Sequence, residues 1–346
     1  MTGIKALGLL SGGLDSTLAG IIMREQGVEV LGINFNTGFC LTDHMREMKK
    51  KNPQGAIYKN EALRAGNDIG CQIEIIDVSD EYVEVIKNPR HGYGSAMNPC
   101  IDCRIMMLRK AKRYMEEHNA LFVFTGEVLG QRPMTQHRGT LGLIARESGL
   151  DRLLLRPLSA RLLPPTIPEE KGWVDRSGLL SISGRSRKEQ AALAAKYGLQ
   201  DYPQPAGGCC FLTDKSYGRR LKDLFTFKGK DKITAEDMIL LKVGRHFRIS
   251  PALKVIVGRD ESENNFLMRH KGSRSYLEPV NFPGPVTLAE GEMGEVGLEN
   301  TLRLAARYTD GKDSDSVSFK LTHGGQDRLV SAKPFKPEEV IRWLIL

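Results

Sequence analysis

The first 35 residues constrain the fold more than any other stretch. A short apolar run, Ala6–Leu10, leads straight into Ser11-Gly12-Gly13-Leu14-Asp15-Ser16. Thr17–Gln26 follows, with Leu18, Ile21 and Ile22 on one side at helical spacing, and Val28–Phe35 is a second apolar run of strand length. A strand, a glycine turn, a helix and a second strand make a parallel α/β unit, because parallel neighbours need a long returning connection. The alternation continues with a helix containing Ala62–Ile69, a strand at Gln72–Val78, a helix at Cys103–His118 and a strand at Ala120–Thr125. About four parallel strands are expected before residue 130, joined by right-handed crossovers.

Further along, the pattern changes twice. Leu153–Gly184 carries Pro157, Pro164, Pro165 and Pro168 and reads as a link or cap that does not extend the sheet. A helix at Arg187–Tyr197 is stopped by Gly198, and a loop at Pro203–Gly208 delivers Cys209 and Cys210. Beyond about residue 240 the spacing suggests strands at Lys254–Gly258 and Asn265–Arg269, joined by the polar turn Arg259–Asn264. More strands are expected at Val286–Leu288, Leu302–Ala306, Ser316–Lys320 and Arg328–Ala332, with a closing helix at Pro337–Leu346. The expected fold class is therefore α/β: a parallel, doubly wound sheet with a second, smaller β-rich domain.

Composition bears on location and partners. No apolar run approaches the roughly 20 residues that span a bilayer, and the first residues lack the sections of a signal peptide. A cytoplasmic protein is expected, with no membrane partner. In a reducing compartment the six cysteines (Cys40, Cys71, Cys100, Cys103, Cys209, Cys210) point to metal or redox chemistry rather than disulfides. A net charge of +8 favours an anionic partner, although charge alone only adds nucleic acid to the options.

The loop Ser11–Ser16 has the means to hold phosphates. Its glycines let backbone N–H groups turn towards an anion, and the helix that follows adds positive charge at its start. Ser11 and Ser16 can donate to phosphate oxygens, and Asp15 can hold Mg²⁺ against a leaving pyrophosphate. The Gly-Lys-Ser/Thr ending of a Walker loop is missing, so transfer of the γ-phosphate is not the natural reading. The hexapeptide resembles the loop of the ATP pyrophosphatases, which adenylate an oxygen and release pyrophosphate. That resemblance implies an adenine nucleotide α-hydrolase-like sheet and ATP held by Ser11, Gly12, Gly13, Leu14, Asp15 and Ser16. Asn34, with Phe35 at the end of the second strand, would border the adenosine. Gly126, in Thr125-Gly126-Glu127, would meet the nucleotide from the carboxyl end of another strand.

Cys100-Ile101-Asp102-Cys103 stands just before a helix, and a Cys-x-x-Cys pair alone serves zinc, a dithiol, an iron–sulfur cluster or a persulfide carrier. Adjacent side chains diverge, so Cys209 and Cys210 together supply one natural ligand and the set counts three. A 4Fe-4S cluster held by three thiolates, with one iron open to exogenous sulfide, fits that count. Cys40 and Cys71 read as ordinary packing. Asn98–Arg104, together with Pro205-Ala206-Gly207-Gly208-Cys209-Cys210-Phe211-Leu212, resembles the paired cysteine motifs of tRNA 2-thiouridylases. Pro157-Leu158-Ser159 and the helix Lys188–Leu199 stand where that family places similar segments. The resemblance spans about residues 1–215 and implies catalytic roles for Asp15, Cys103 and Cys210. Cys100 departs from it, since an acidic residue often stands there. The three-cysteine set Cys100, Cys103 and Cys210, with Cys209 as alternate, instead looks like that of the iron–sulfur-dependent tRNA thiolases. Relatives with this layout are 4-thiouridine synthase-like. The implied partners are tRNA and a sulfur donor, either sulfide or a cysteine desulfurase relay, and the segment Gln131–Arg138 is expected to face the tRNA.

Between Ser216 and Val280 there are 14 Lys and Arg against 8 Asp and Glu. Arg245, Arg248, Lys254, Arg259, Arg269 and Lys271 are interleaved with Phe247, Phe266 and Tyr276, a mix suited to phosphate contacts and base stacking. Gly244–Arg248 with Val257–Arg259 and Asn264–Leu267 resembles an RNA-binding domain of ribosome quality-control factors. The expected organisation is an ATP-binding α/β domain at residues 1–160, a linker and helical region with the second cysteine site at 161–240, and a β-rich RNA-binding domain at 241–346. Two other functions would use some of these parts: activation of a carboxylate for amide formation, and non-catalytic RNA binding with a structural zinc. The first leaves the cysteines and the basic domain idle, and the intact Asp15 argues against the second.

Overall fold

A computed structural model describes residues 3–48, 60–200, 202 and 210–346. Cys209 and the loop Pro203–Gly208 lie outside the described residues. The chain divides into two compact units, Met1–Asp43 with Gly55–Cys210 and His44–Gln54 with Phe211–Leu346.

The first unit is built on β1 (Lys5–Leu9), α1 (Leu14–Glu25), β2 (Glu29–Asn36), α2 (Leu41–Glu47, which runs on into the second unit), α3 (Glu61–Ile69), β3 (Ile73–Asp77) and α4 (Ser79–Lys87). It continues through α5 (Cys100–Glu117), β4 (Phe122–Thr125), α6 (Arg138–Glu147), β5 (Leu154–Leu155), α7 (Ile167–Glu170) and α8 (Lys188–Lys196). The five strands pair in the order β3-β2-β1-β4-β5, every pair parallel. Such a sheet is buried on both faces, which is why its central strands read as apolar runs rather than alternating ones. On one face Leu14, Leu18 and Ile22 of α1 pack with Phe122, Phe124 and Leu155. On the other, Ile105, Leu108, Ala111 and Met115 of α5, spaced by three and four residues, pack with Leu7, Leu9, Ile33 and Val123. The expected doubly wound sheet is present. The Pro-rich stretch does extend it, because Leu154 and Leu155 pair with Val123 and Phe124.

The strand order reverses between β1 and β4. At such a switch point the two connections leave on opposite faces and open a crevice at the carboxyl ends of the strands. Ser11–Ser16 follows β1 and Gly126 follows β4, so both border that crevice.

The second unit opens with α9 (Lys215–Lys228) and α10 (Ala235–Leu240), then β6 (Arg245–Ser250), β7 (Leu253–Val257), α11 (Glu261–Arg269), β8 (Ser275–Pro279) and β9 (Thr287–Gly291). It ends with α12 (Glu295–Arg307), β10 (Val317–His323), β11 (Gln326–Ala332) and α13 (Pro337–Val340). Its six strands pair antiparallel in the order β11-β10-β8-β9-β7-β6. Two expected strands are helices. Asn265–Arg269 lies in α11, which Asp260 starts by accepting the Glu263 N–H at 2.9 Å. Leu302–Ala306 lies in α12, where Leu302, Leu304, Ala305 and Ala306 are all buried against the sheet. The closing helix is shorter than expected: α13 ends at Val340, and Leu344 makes a β-bridge with Phe247.

Candidate active site

The loop after β1 is shaped by contacts that only glycine allows at two positions. Gly12 has φ +79°, and a Cβ there would stand 2.3 Å from the carbonyl carbon of Glu61. Gly126 has no room either, since its Cβ would meet the Ser16 nitrogen at 2.4 Å. The end of β4 therefore lies directly on the first turn of α1. Gly13 caps that helix without a side-chain bond, leaving first-turn N–H groups available to an anion. Ser16 donates to the Gly13 carbonyl at 2.8 Å, and its oxygen is 3.3 Å from that of Ser11. Leu14 contributes backbone only, because its side chain is in the core. Asn34 donates to the Leu10 carbonyl at 2.8 Å, so its amide braces the start of the loop. Arg64 of α3, which belongs to no motif legible in the sequence, donates to the Gly12 carbonyl at 2.7 Å and pairs with Glu61 and Asp68.

Asp15 is covered by two side chains from distant segments. Gln131 donates to its Oδ2 at 2.9 Å, and Arg187 stands 3.5 Å from the same oxygen. Asp15 Oδ1, Gln131 Oε1 and Arg187 Nε are buried without a hydrogen-bond partner among the described residues. Three unpaired polar atoms around one carboxylate are costly to leave so, at about 1–3 kcal/mol each, and mark a place where a ligand would be welcome. The open Oδ1 of Asp15 is the kind of oxygen Mg²⁺ takes. Arg187 is brought there by the chain before α8: Leu129 bridges Ser183, and Ser159 accepts the Leu129 N–H at 2.9 Å while donating to the Ile182 carbonyl at 2.7 Å. The segment Gln131–Arg138, expected to face tRNA, thus turns Gln131 inward, and Thr135 and Gln136 are buried too.

The expected helix at Cys103 starts three residues earlier, and Cys100 and Cys103 both lie in the first turn of α5. Both residues thus stand at the positive end of the α5 dipole. Asn98 donates to Cys100 Sγ at 3.1 Å, and Asp102 accepts the N–H groups of Arg90 and His91 at 3.1 and 2.9 Å. Cys210 forms an antiparallel β-bridge with Cys40. Cys100, Cys103 and Cys210 meet around Tyr82 of α4, which is 2% exposed and packs edge-on against Phe39 at 5.6 Å. Burial first, then the sulfurs of Cys103, Cys210 and Cys100, push the Tyr82 phenol well above its ordinary range, and its hydroxyl is hydrogen-bonded to Cys103. Sequence reasoning missed Tyr82 and gave Cys40 to packing. None of the described cysteines is in a disulfide. Among the described residues no three His, Cys, Asp or Glu side chains stand at metal-ligand spacing. Three thiols suit a thiolate-held cluster in donor chemistry, but those among the described residues do not stand at the spacing that holds one.

Glu127 connects the two ends of this site. It is 2% exposed, with Arg156 at 3.0 Å and Arg104 at 3.2 Å on its two oxygens, and Thr125 donates to it at 3.2 Å. Burial raises its pKa, but the two guanidinium groups outweigh that and hold it below the ordinary carboxylate range.

In the second unit the expected RNA-binding residues separate into two groups. Lys254 is 2% exposed and lies 3.7 Å from Asp223, and Arg248 pairs with the same carboxylate at 2.6 Å. Both point to the face of β6 and β7 that faces α9, so Lys254 is not an RNA-facing residue. Arg259 pairs with Glu263 at 3.1 Å and remains partly exposed. Arg269 lies over Phe266 at 5.8 Å, Lys271 over Tyr276 at 4.3 Å and Arg245 over Tyr308 at 4.8 Å.

Residues 1–160 match the family profile described as thiamine biosynthesis protein (ThiI), and residues 244–344 match that of the NFACT protein RNA binding domain. The chain is 27% identical over 232 residues to the tRNA-specific 2-thiouridylase MnmA of Symbiobacterium thermophilum, covering 63% of this chain and 55% of that protein. It is 32% identical over 131 residues to the "Probable tRNA sulfurtransferase" of Bacillus licheniformis, covering 38% and 29%. Among solved structures, a 4-thiouridine synthetase–RNA complex with bound ATP aligns at 21% identity with a TM-score of 0.37, over 56% of this chain and 40% of the other. The chain spans a little over half the length of the thiouridylases it matches. It thus joins a domain similar to the tRNA thiolases, matching the ThiI family over residues 1–160, to one matching the NFACT RNA-binding domain over residues 244–344.

Proposed function

We propose that the chain is an ATP-dependent tRNA sulfurtransferase, which replaces a uridine carbonyl oxygen with sulfur and releases AMP and pyrophosphate. One observation carries the reading: a single compact unit holds both the Ser11–Ser16 loop and the three thiols around Tyr82. The similarity to tRNA thiolases supports it.

In the first step the uridine oxygen attacks the α-phosphorus and pyrophosphate leaves, which turns that oxygen into part of a good leaving group. First-turn N–H groups of α1 hold the departing phosphates, with Ser11 and Ser16 beside them. Asp15 would hold Mg²⁺, which would supply charge to neutralise the pyrophosphate. Arg187, 3.5 Å from Asp15 Oδ2, would add its own charge there. In the second step sulfur attacks the activated carbon and AMP leaves. Sulfide would attack the carbon directly, without a persulfide. From a cysteine desulfurase relay the sulfur would arrive as a persulfide on one of the pair Cys103 and Cys210. Its terminal sulfur would attack the carbon as AMP leaves. The thiolate of the other cysteine would then release the thiolated base and leave a Cys103–Cys210 disulfide for a small dithiol to reduce. A 4Fe-4S cluster on Cys100, Cys103 and Cys210 would supply an open iron for sulfide; Cys209 is the alternate to Cys210. The Tyr82 hydroxyl orients Cys103. The base has to leave its stack to reach either group, and Arg245, Arg259, Arg269 and Lys271 are the proposed contacts to tRNA phosphates and bases. The cytoplasm is the proposed location; among the described residues no helix is long and apolar enough to cross a membrane.

The test is mass analysis of nucleosides from tRNA of cells with and without the gene. One thiolated uridine should disappear in its absence. An unchanged set of thiolated nucleosides would refute the reading.

A further inference from the structure

Cys40 follows β2 and faces Cys210 across an antiparallel β-bridge, although 170 positions of sequence separate them. Residues directly opposite in such a pair put their side chains on the same side, with Cβ atoms about 4.5–5.5 Å apart. A disulfide needs about 3.5–4.5 Å between those atoms, so a small movement closes the gap. Both residues are partly exposed, within reach of a small reagent. The flanking Phe39 is buried against Tyr82, which fixes this strand end beside the three thiols.

We infer that Cys40 and Cys210 form a reversible disulfide, a modification site that withdraws Cys210 from sulfur transfer when small disulfides accumulate. The chemistry is thiol–disulfide exchange. The Cys210 thiolate attacks one sulfur of a low-molecular-weight disulfide; that S–S bond breaks, one half leaves as a thiolate and the other stays on Cys210. The Cys40 thiol loses its proton to solvent and attacks Cys210 Sγ, expelling the second half as a thiolate and closing the Cys40–Cys210 bond. The protein dithiol loses two electrons and the small disulfide becomes two thiols. A dithiol reductant reverses both steps.

The test uses the full chain treated with glutathione disulfide, alkylated, and digested without reductant. Fragment spectra should show a peptide joined through Cys40 and Cys210, and dithiothreitol should remove it. The Cys40→Ser variant should instead accumulate glutathione on Cys210. Bridges joining Cys210 only to Cys100 or Cys103, or a Cys40 bridge to Cys209, would overturn the inference, as would a Cys40→Ser protein that accumulates no glutathione on Cys210. The effect on activity rests on the proposed sulfur transfer: oxidised wild type should lose thiolation and keep AMP formation, while oxidant-free Cys40→Ser keeps both. The peptide map is read independently, so a chain that thiolates nothing would refute the proposed function and leave the disulfide standing.

Discussion

Replacing Gly126 with alanine tests whether the end of β4 is what holds the phosphate loop in place. The added Cβ would lie 2.4 Å from the Ser16 nitrogen and 2.5 Å from the carbonyl carbon and oxygen of Asp15, about an ångström inside ordinary contact. No side chain can swing away, because all three atoms belong to the backbone of the first turn of α1. That turn cannot retreat freely either, since Leu14 and Leu18 are buried in the core behind it. Overpacking of this kind costs about 1–3 kcal/mol, and at about 2–4 °C per kcal/mol for a unit of this size the melting temperature should fall by about 2–12 °C. The loop should shift with the turn, so KM for ATP in an AMP-formation assay should rise more than kcat falls. Gly139 is the matched control. It lies in α6, where an added Cβ would meet nothing within 4 Å, and Gly139→Ala should be neutral or stabilising by up to about 1 kcal/mol. Wild-type melting and wild-type KM in Gly126→Ala would refute the idea that this contact shapes the site.

Four further outcomes are expected. Arg187→Ala should lower AMP formation by about 10–100-fold, the loss of one charge-assisted hydrogen bond of about 1.5–3 kcal/mol, with partial recovery in Arg187→Lys; full activity would remove Arg187 from the pyrophosphate. Tyr82→Phe keeps the ring against Phe39 and deletes the bond to Cys103, so sulfur transfer should drop about 2–10-fold while AMP formation holds; equal losses in both steps would contradict a role in orienting sulfur. Burial holds the Lys254 pKa down at about 8 against 10.5, so between those values the unfolded chain binds the extra proton and wild-type stability from this group rises with pH. Lys254→Met leaves Asp223 with Arg248 and should be neutral or more stable by about 1–3 kcal/mol at pH 7, the advantage shrinking as pH passes 8; denaturant titrations at pH 7 and 9.5 showing a constant difference would contradict this. Arg269→Ala and Lys271→Ala should each weaken tRNA binding and flatten the slope of log K against log salt by about 0.7–0.9, whereas Lys254→Met should leave the slope alone.

What the sequence disclosed and what it hid have a common physical origin. The strand–turn–helix that carries Ser11–Ser16 was legible because its parts are contiguous: a strand, two glycines and a helix start are local facts. The doubly wound sheet was legible because strands buried on both faces are nearly continuous apolar runs. Short apolar runs such as Asn265–Arg269 and Leu302–Ala306 carry no such signal, and caps and packing made them helices. Lys254 was misjudged for a related reason. Alternation along β7 puts it on one face, but nothing local says that α9 covers that face with Asp223. Gln131, Arg187 and Tyr82 reach the site from three separate segments, and only the folded chain brings them together.

For the sulfur end and the nucleotide end to work on one base, the elements that carry them must be held together. Two reacting groups must be placed to within a fraction of an ångström if proximity is to accelerate a reaction. Cys100 and Cys103 are fixed to α5, and the loop is fixed to Gly126. Arg104 lies on α5 directly after Cys103, and Glu127 follows Gly126. Their ion pair at 3.2 Å therefore connects the helix that carries the cysteines to the strand end that packs on the Ser11–Ser16 loop. Arg156, held by Glu127 at 3.0 Å and donating to the Leu141 carbonyl at 3.1 Å, ties in α6 as a third element. A buried carboxylate between two guanidinium groups is not required for stability, since apolar side chains often pack as well; breaking one, however, strands the remaining charges at about 3–5 kcal/mol. The arrangement therefore resists small relative movements of α5 and β4. Glu127 touches neither sulfur nor nucleotide in this reading, and its position between the two explains why a buried charge stands there.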